Sequence, residues 1–385
     1  MRKSTYSQHY VKDHHATEKE RKHIILLDGT WNDETGLDGS GLVTNIVQLS
    51  RILINDPEKQ IVRYHRGVGN DNDNKWLSHN WKGADGKAIR LIVDRAYARL
   101  VKDWQNGDRI YIFGFSRGAA AARLLAAKIN REGIPKSVDI SLKPVENRET
   151  RVVEQRIDKV KFDRSEKKEV DIEFLGVWDT VSALGLLNNI LATFKLSKKD
   201  LFTDQHIAAN IQRAVHLVSI DETRNSFRPS LMNHKKQVTH EVWFPGVHSD
   251  IGGTYLKKEL SQVNLHYMIG QLFQWNEKRK LNDFLIDQNA YEESAKLNVE
   301  RAHFHFQGHG FGKSLREVKV QIDGEKTETL SPKIHQLYQD IAYKRNSYSV
   351  VEVKGLFKRK STAITNFQYM PFNVKVLKGK YEVVK

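Results

Sequence analysis

The residues Gly114-Phe115-Ser116-Arg117-Gly118 set a hydroxyl between two glycines in the spacing G-x-S-x-G. In that pattern a serine on a strained strand-to-helix turn serves as a nucleophile. The turn crowds the residues two before and two after the serine, so side chains there would clash. A serine hydroxyl is a weak nucleophile near neutral pH and needs a base, which in turn needs a carboxylate to fix its tautomer. In the chain order serine, acid, histidine, Gly176-Val177-Trp178-Asp179-Thr180 and Pro245-Gly246-Val247-His248-Ser249-Asp250 supply them. Asp179 is assigned as the acid and His248 as the base. Asp250, two residues from His248, and Asp221 stay open as alternative acids, with an Asp221–Arg224 ion pair as the plainer reading of the second. The developing oxyanion needs donors, expected from the N–H of Arg117 and from the loop around Gly29, which Asp28 would shape.

These residues must be held by strands and helices that the sequence also announces. Ile24 to Leu27 is a short apolar run stopped by Asp28-Gly29-Thr30, as for a buried parallel strand. Similar runs cover Gln60 to His65, Arg109 to Phe115, Asp171 to Val177 and Glu241 to Val247. Between Asp85 and Gln105 the positions Ile89, Val93, Ala96, Leu100 and Trp104 recur at helical spacing, and Ala119 to Ala127 and Leu260 to Gln274 are helical in composition. Asp204 to Ser219 reads as helix turning to strand, and Val350 to Val353 and Asn373 to Leu377 as short alternating stretches. Alternating strands and helices predict an α/β fold with a mostly parallel central sheet flanked by helices, carrying insertions and a small basic C-terminal region. The expected organisation is a flexible arm over 1–22 and a catalytic domain over 23–345 with a charged, partly helical surface insertion near 136–169. A basic extension over 346–385 would pack on that domain.

The chain has 385 residues, enough to bury a full core, and no cysteine, which excludes disulfides and thiolate zinc sites. A net charge of +15 gives a surface field that attracts anionic partners such as membrane headgroups, and between Val351 and Lys385 eight Lys or Arg face two Glu. Charge without a recognisable motif is no ground for expecting nucleic acid. Neither an apolar signal region nor a spanning run of about 20 apolar residues is present, so the expectation is a protein cytoplasmic as synthesised, with any membrane contact peripheral. His303, His305 and His309, interleaved with Phe304 and Phe306, read as a surface strand rather than a metal site. No metal and no cofactor is expected. Asp28-Gly29-Thr30 is not an aspartate-phosphatase motif, because Leu26 stands where a second Asp is required.

Several stretches resemble one family in succession: Leu27-Asp28-Gly29-Thr30-Trp31-Asn32, Thr44-Asn45-Ile46, Gly67-Val68-Gly69, Gly107-Asp108-Arg109-Ile110, Phe113 to Ala119, Phe174 to Val181 and Glu241 to Gly253. The chain over about 23–270 is similar to the domain of unknown function 2235 family, which includes phospholipase effectors of type VI secretion. The resemblance implies an α/β-hydrolase fold and a triad carried here by Ser116, Asp179 and His248. It also implies lipid or phospholipid ester hydrolysis, delivery into a target cell, and an immunity or secretion partner. One departure is Thr254, where the family has a third glycine. The alternatives are an esterase or acyltransferase acting on a soluble ester, and a non-catalytic membrane- or toxin-associated binding module.

Overall fold

Apolar runs of six or seven residues, too short for helices, become strands buried on both faces in this computed structural model. It describes residues 6–29, 32, 34, 41–67, 85–146, 153–181, 207–296, 305, 313–322, 330–337, 342–353, 356–368 and 371–385. The chain begins with β1 (Tyr6–Val11), β2 (Lys22–Leu27), α1 (Asn45–Ile52), β3 (Gln60–His65), α2 (Asp85–Asp103), β4 (Arg109–Phe115) and α3 (Arg117–Glu132). It continues through β5 (Ile134–Glu146), β6 (Val153–Lys168), β7 (Ile172–Trp178), β8 (Ala214–Ser219), β9 (Thr239–Phe244), α4 (His248–Gly252), α5 (Glu259–Lys278) and α6 (Gln288–Ser294). The last elements are β10 (Lys333–His335), β11 (Ala342–Val353), β12 (Leu356–Gln368), α7 (Phe372–Lys375) and β13 (Glu382–Val384).

Eight strands form one sheet in the order β13-β10-β9-β8-β7-β4-β2-β3, with every pairing parallel. Such a sheet needs cover on both faces, and β2 shows how the sequence provides for it. Ile25 and Leu27 pack with Val93 and Tyr97 of α2 and Leu124 and Leu125 of α3. Ile24 and Leu26 point the other way, into a cluster with Ile46 of α1 and Leu265 and Met268 of α5. A parallel sheet between helices, with Ser116 at the turn from β4 into α3, is the α/β-hydrolase fold.

The charged stretch near 136–169 contains no helix among its described residues. It forms β5 and β6, an antiparallel pair to which β1 adds on the other side. Val138, Ile140, Val160 and Phe162 alternate with polar residues and turn toward the α2–α3 layer. That period of two was present in the sequence beneath the charge density. The polar N-terminal stretch likewise supplies a strand, β1, whose backbone pairs with β5 from Tyr6↔Leu142 to Val11↔Ser137. Residues 207–213 are irregular rather than helical, and the stretch from Asn373 opens in the short helix α7 rather than in a strand. Part of the C-terminal region belongs to the main body: β13 extends the large sheet beyond β10, and Val374 is buried with Val218, Trp243 and Ile334. Among the described residues no helix is long and apolar enough to cross a membrane.

Candidate active site

The site is built at the carboxyl ends of neighbouring parallel strands, where such sheets hold ligands. Where β4 ends, Ser116 takes φ 59° and ψ −122°, a conformation that strains any residue with a side chain. The glycines around it permit the crowding that holds it. A Cβ on Gly114 would come within 2.5 Å of the Gly118 carbonyl oxygen, and one on Gly118 within 2.3 Å of those of Leu27 and Asp28. Next to β4, the end of β7 presents Asp179, fully buried and also at positive φ (39°). Past β9 the chain turns at Gly246 and enters α4 with His248.

These three side chains form one chain of hydrogen bonds. Ser116 Oγ lies 2.9 Å from His248 Nε2, and His248 Nδ1 lies 2.6 Å from Asp179 Oδ2. Burial pushes the Asp179 carboxyl up, but the Arg316 guanidinium and then His248 outweigh it and hold it well below the usual carboxylate range. An ionised carboxylate only accepts, so His248 Nδ1 donates to it and Nε2 is left to accept the Ser116 proton. The imidazole is fixed sideways as well, stacked on Phe115 at 4.7 Å and met edge-on by Phe227 at 4.9 Å.

Arg316 is the member that sequence reasoning missed. It is 3% exposed and grips both Asp179 oxygens, at 2.6 Å to Oδ1 and 3.0 Å to Oδ2. It also donates to the carbonyls of Ser219, at 2.9 Å, and of Phe227. One arginine among 62 basic residues, 137 positions from its partner, carries no local pattern that marks it.

The alternative acids serve other groups. Asp250 accepts from the Val247 N–H at 3.0 Å and meets His305 Nδ1 at 2.7 Å, and burial pushes its carboxyl up. Asp221 accepts from the Gly246 N–H at 2.7 Å, bracing the turn before His248. The ion pair expected between Asp221 and Arg224 forms instead from Glu222, whose carboxylate takes Arg224 at 2.8 Å and the His248 N–H at 3.3 Å. Arg224 in turn lies 3.6 Å over the Phe227 ring. His305 is not in a strand. It is bound to Asp250 and stacked 3.8 Å from Tyr255, while His303 and His309 lie outside the described residues.

Asp28 is buried at the end of β2 and accepts from Thr44 Oγ1 (2.8 Å), Tyr64 Oη (2.7 Å) and the Gly29 N–H (2.6 Å). Burial raises its carboxyl to about 7 against those three donors. Gly29 stands where the oxyanion loop was expected, since a Cβ on it would lie 3.3 Å from Ser116 Cβ. Its N–H is nonetheless turned to Asp28 here. The N–H of Arg117 opens α3 directly after Ser116.

A family model described as the type VI secretion phospholipase effector Tle1-like catalytic domain matches residues 21–271. An uncharacterized protein of Saccharomyces cerevisiae is 30% identical over 232 residues, 54% of this chain and 32% of its own length. Among solved structures, an uncharacterized protein from Pseudomonas aeruginosa aligns with a TM-score of 0.44 at 21% identity, over 73% of this chain and 49% of its own. The Tle1 effector bound to the VgrG spike of a type VI secretion system aligns with a TM-score of 0.36 at 20% identity, over 65% of this chain and 57% of its own. The chain thus spans about a third of the yeast relative and about half of the Pseudomonas one.

Proposed function

The chain belongs to the Tle1-like catalytic-domain family of type VI secretion phospholipase effectors, and from that premise we propose that it is a serine hydrolase of lipid or phospholipid carboxylic esters. The observation that carries the proposal is the bonded series Ser116 Oγ, His248 Nε2, His248 Nδ1, Asp179 Oδ2, with steps of 2.9 and 2.6 Å.

In this reading Ser116 Oγ attacks the ester carbonyl while its proton passes to His248 Nε2. Asp179 stabilises the imidazolium that forms and keeps its own charge, as its pairing with Arg316 favours. The tetrahedral oxyanion takes the Arg117 N–H, with the Gly29 N–H as second donor once it leaves Asp28. Collapse expels the alcohol, protonated by His248. Water then gives His248 a proton and attacks the acyl-serine; as the second tetrahedral intermediate collapses to release the acid, His248 returns that proton to Ser116 Oγ, restoring both residues. Family membership extends the proposal to delivery by a type VI system, a secretion or immunity partner, and peripheral contact with anionic membrane.

The test is release of fatty acid and lysolipid from mixed anionic and zwitterionic phospholipid vesicles, comparing wild type with Ser116→Ala at matched folding. Release confined to the wild type supports a serine phospholipase. Cleavage only of short soluble esters, still dependent on Ser116, would replace lipid by a soluble substrate. Inactivity on both classes would sink the hydrolase reading.

A further inference from the structure

The outer strand of the large sheet, β3, carries a cluster of basic groups that the proposed reaction does not use. Along β3, Tyr64 turns toward Asp28, while Arg63 and His65, two residues apart, turn to the opposite face, where Arg63 bonds Asp103 of α2. On α2, Arg95, Arg99 and Asp103 follow at four-residue steps and so share one face of the helix. Arg95 and Arg99 repel at that spacing, and Arg63 adds to the repulsion, lowering Arg99 after burial itself has done so. Among the described residues Asp103 is the one acid acting on Arg99; it is already bonded to Arg63 and also faces Lys12.

His65 sits at the centre of this field. It is 8% exposed, and burial together with Arg99, Arg63 and Arg95 drives its imidazole down to about 3, so it is neutral. Its Nε2, like Arg63 Nε, is buried with no hydrogen-bond partner among the described residues. A buried donor without an acceptor costs about 1–3 kcal/mol. One such donor, Arg63 Nε, and an imidazole nitrogen that donates in its Nε2–H tautomer lie together in this positive cluster, as recognition of an anion requires.

We propose that the junction of β3 and α2 is an anion site in which Arg63, His65, Arg95 and Arg99 hold a phosphate group. Donors that converge from a strand and a helix suit a tetrahedral group with several acceptor oxygens better than a planar carboxylate. His65 also stands level with the catalytic edge. Leu27 is in register with both His65 and Gly114, which puts His65 two strands from the nucleophile strand, about 10 Å across the sheet. The phosphate is therefore either that of a lipid headgroup or a free one.

The experiment titrates inorganic phosphate into the full chain by calorimetry, against chloride at matched ionic strength. In parallel, binding to phosphatidylglycerol vesicles is measured on the Ser116→Ala background, so that turnover plays no part. Both arms are repeated with Arg99→Gln and with Arg95→Gln. Saturable one-site phosphate binding that weakens about tenfold or more in the variants supports a free-phosphate site. Vesicle binding weakened by the same changes, without binding of inorganic phosphate, supports a headgroup site. Neither ligand responding to the variants overturns the proposal. In chloride, Arg99→Gln relieves repulsion and melts no lower than wild type; a clear fall in its Tm would mean that Arg99 already has a structural counter-charge, which also overturns it.

Discussion

In the proposed reaction a carboxylate buried beside the histidine base is useful only while it stays ionised, and burial alone would protonate it. Asp179 escapes that outcome through Arg316, which supplies charge and two hydrogen bonds, while the Ser219 N–H adds a third at 3.0 Å. Arg316 reaches the reacting atoms through Asp179, so it is a positioning residue with a defined signature. Arg316→Gln leaves Asp179 buried with only His248 and the Ser219 N–H against it, its carboxyl rises, and the acid limb of the kcat/KM profile moves to higher pH. We expect kcat/KM to fall about tenfold to a hundredfold and stability to fall by about 3–5 kcal/mol, the cost of breaking a buried pair from one side. Arg316→Lys should restore part of the rate and part of the shift. A profile that merely drops without moving would reduce Arg316 to packing. Asp28 titrates in the opposite sense. Its folded carboxyl lies near 7, above the unfolded value, so the stability its neutral form contributes is fully present below about pH 4 and lost as pH rises toward 7. Asp28→Asn removes the loss. The difference in unfolding free energy between Asp28→Asn and wild type, from denaturant melts, should widen in favour of the variant from pH 4 to 7, approaching roughly 4 kcal/mol, and stay level above pH 8; a flat difference curve would refute the assignment.

At the scale of elements, what the sequence made legible were the pieces whose signal is local. β2, β4 and β7 are predominantly apolar runs, β3 keeps Ile61, Val62 and Tyr64 among its polar residues, α2 keeps its helical spacing, and the glycines of the elbow bracket Ser116. The β5–β6 hairpin was hidden because the residues facing outward, such as Asp139, Ser141, Lys159 and Lys161, are charged or polar, and that charge masks the alternation of Val138, Ile140, Val160 and Phe162. Partner choice within the site was less legible still. Asp221, Glu222 and Asp250 are near His248 in sequence or space, and only the direction of each side chain decides which one braces a turn, binds Arg224 or meets His305. One departure in sequence does have a structural counterpart. Thr254, where the resemblance implies a glycine, takes φ 87° just after α4, a region that a β-branched residue enters only under strain. Its N–H donates to the Val43 carbonyl at 3.3 Å, which ties that backbone to the loop before α1. Thr254→Gly should therefore raise stability by about 1 kcal/mol, strain relieved less the entropy that glycine adds to the unfolded chain. Denaturant melts of the two proteins would check it, and a loss of stability would mean that the threonine side chain makes compensating contacts.

Across the whole molecule, the site depends on chain that arrives late. Arg316 lies outside the regular strands, and part of what fixes its backbone comes from α7: buried Asn373 donates its side-chain amide to the Arg316 carbonyl at 3.1 Å and to that of Ile220 at 2.9 Å. Next to it, Val374 enters the cluster of Val218, Ile220, Trp243 and Val318, and β13 then closes the edge of the sheet beyond β10. A C-terminal segment thus locks the carrier of the counter-charge against the strands that carry the acid and the histidine. The coupling has a measurable form. Asn373→Ala leaves two buried carbonyls without a donor and should cost about 1–3 kcal/mol of stability. It should also lower kcat/KM, though by less than Arg316→Gln. If Asn373 acts on the reaction through Arg316, its rate effect should vanish in the Arg316→Gln background while its stability cost persists, because residues in one network are not additive for the property they share. Equal rate effects in both backgrounds would show that Asn373 reaches the site by another route.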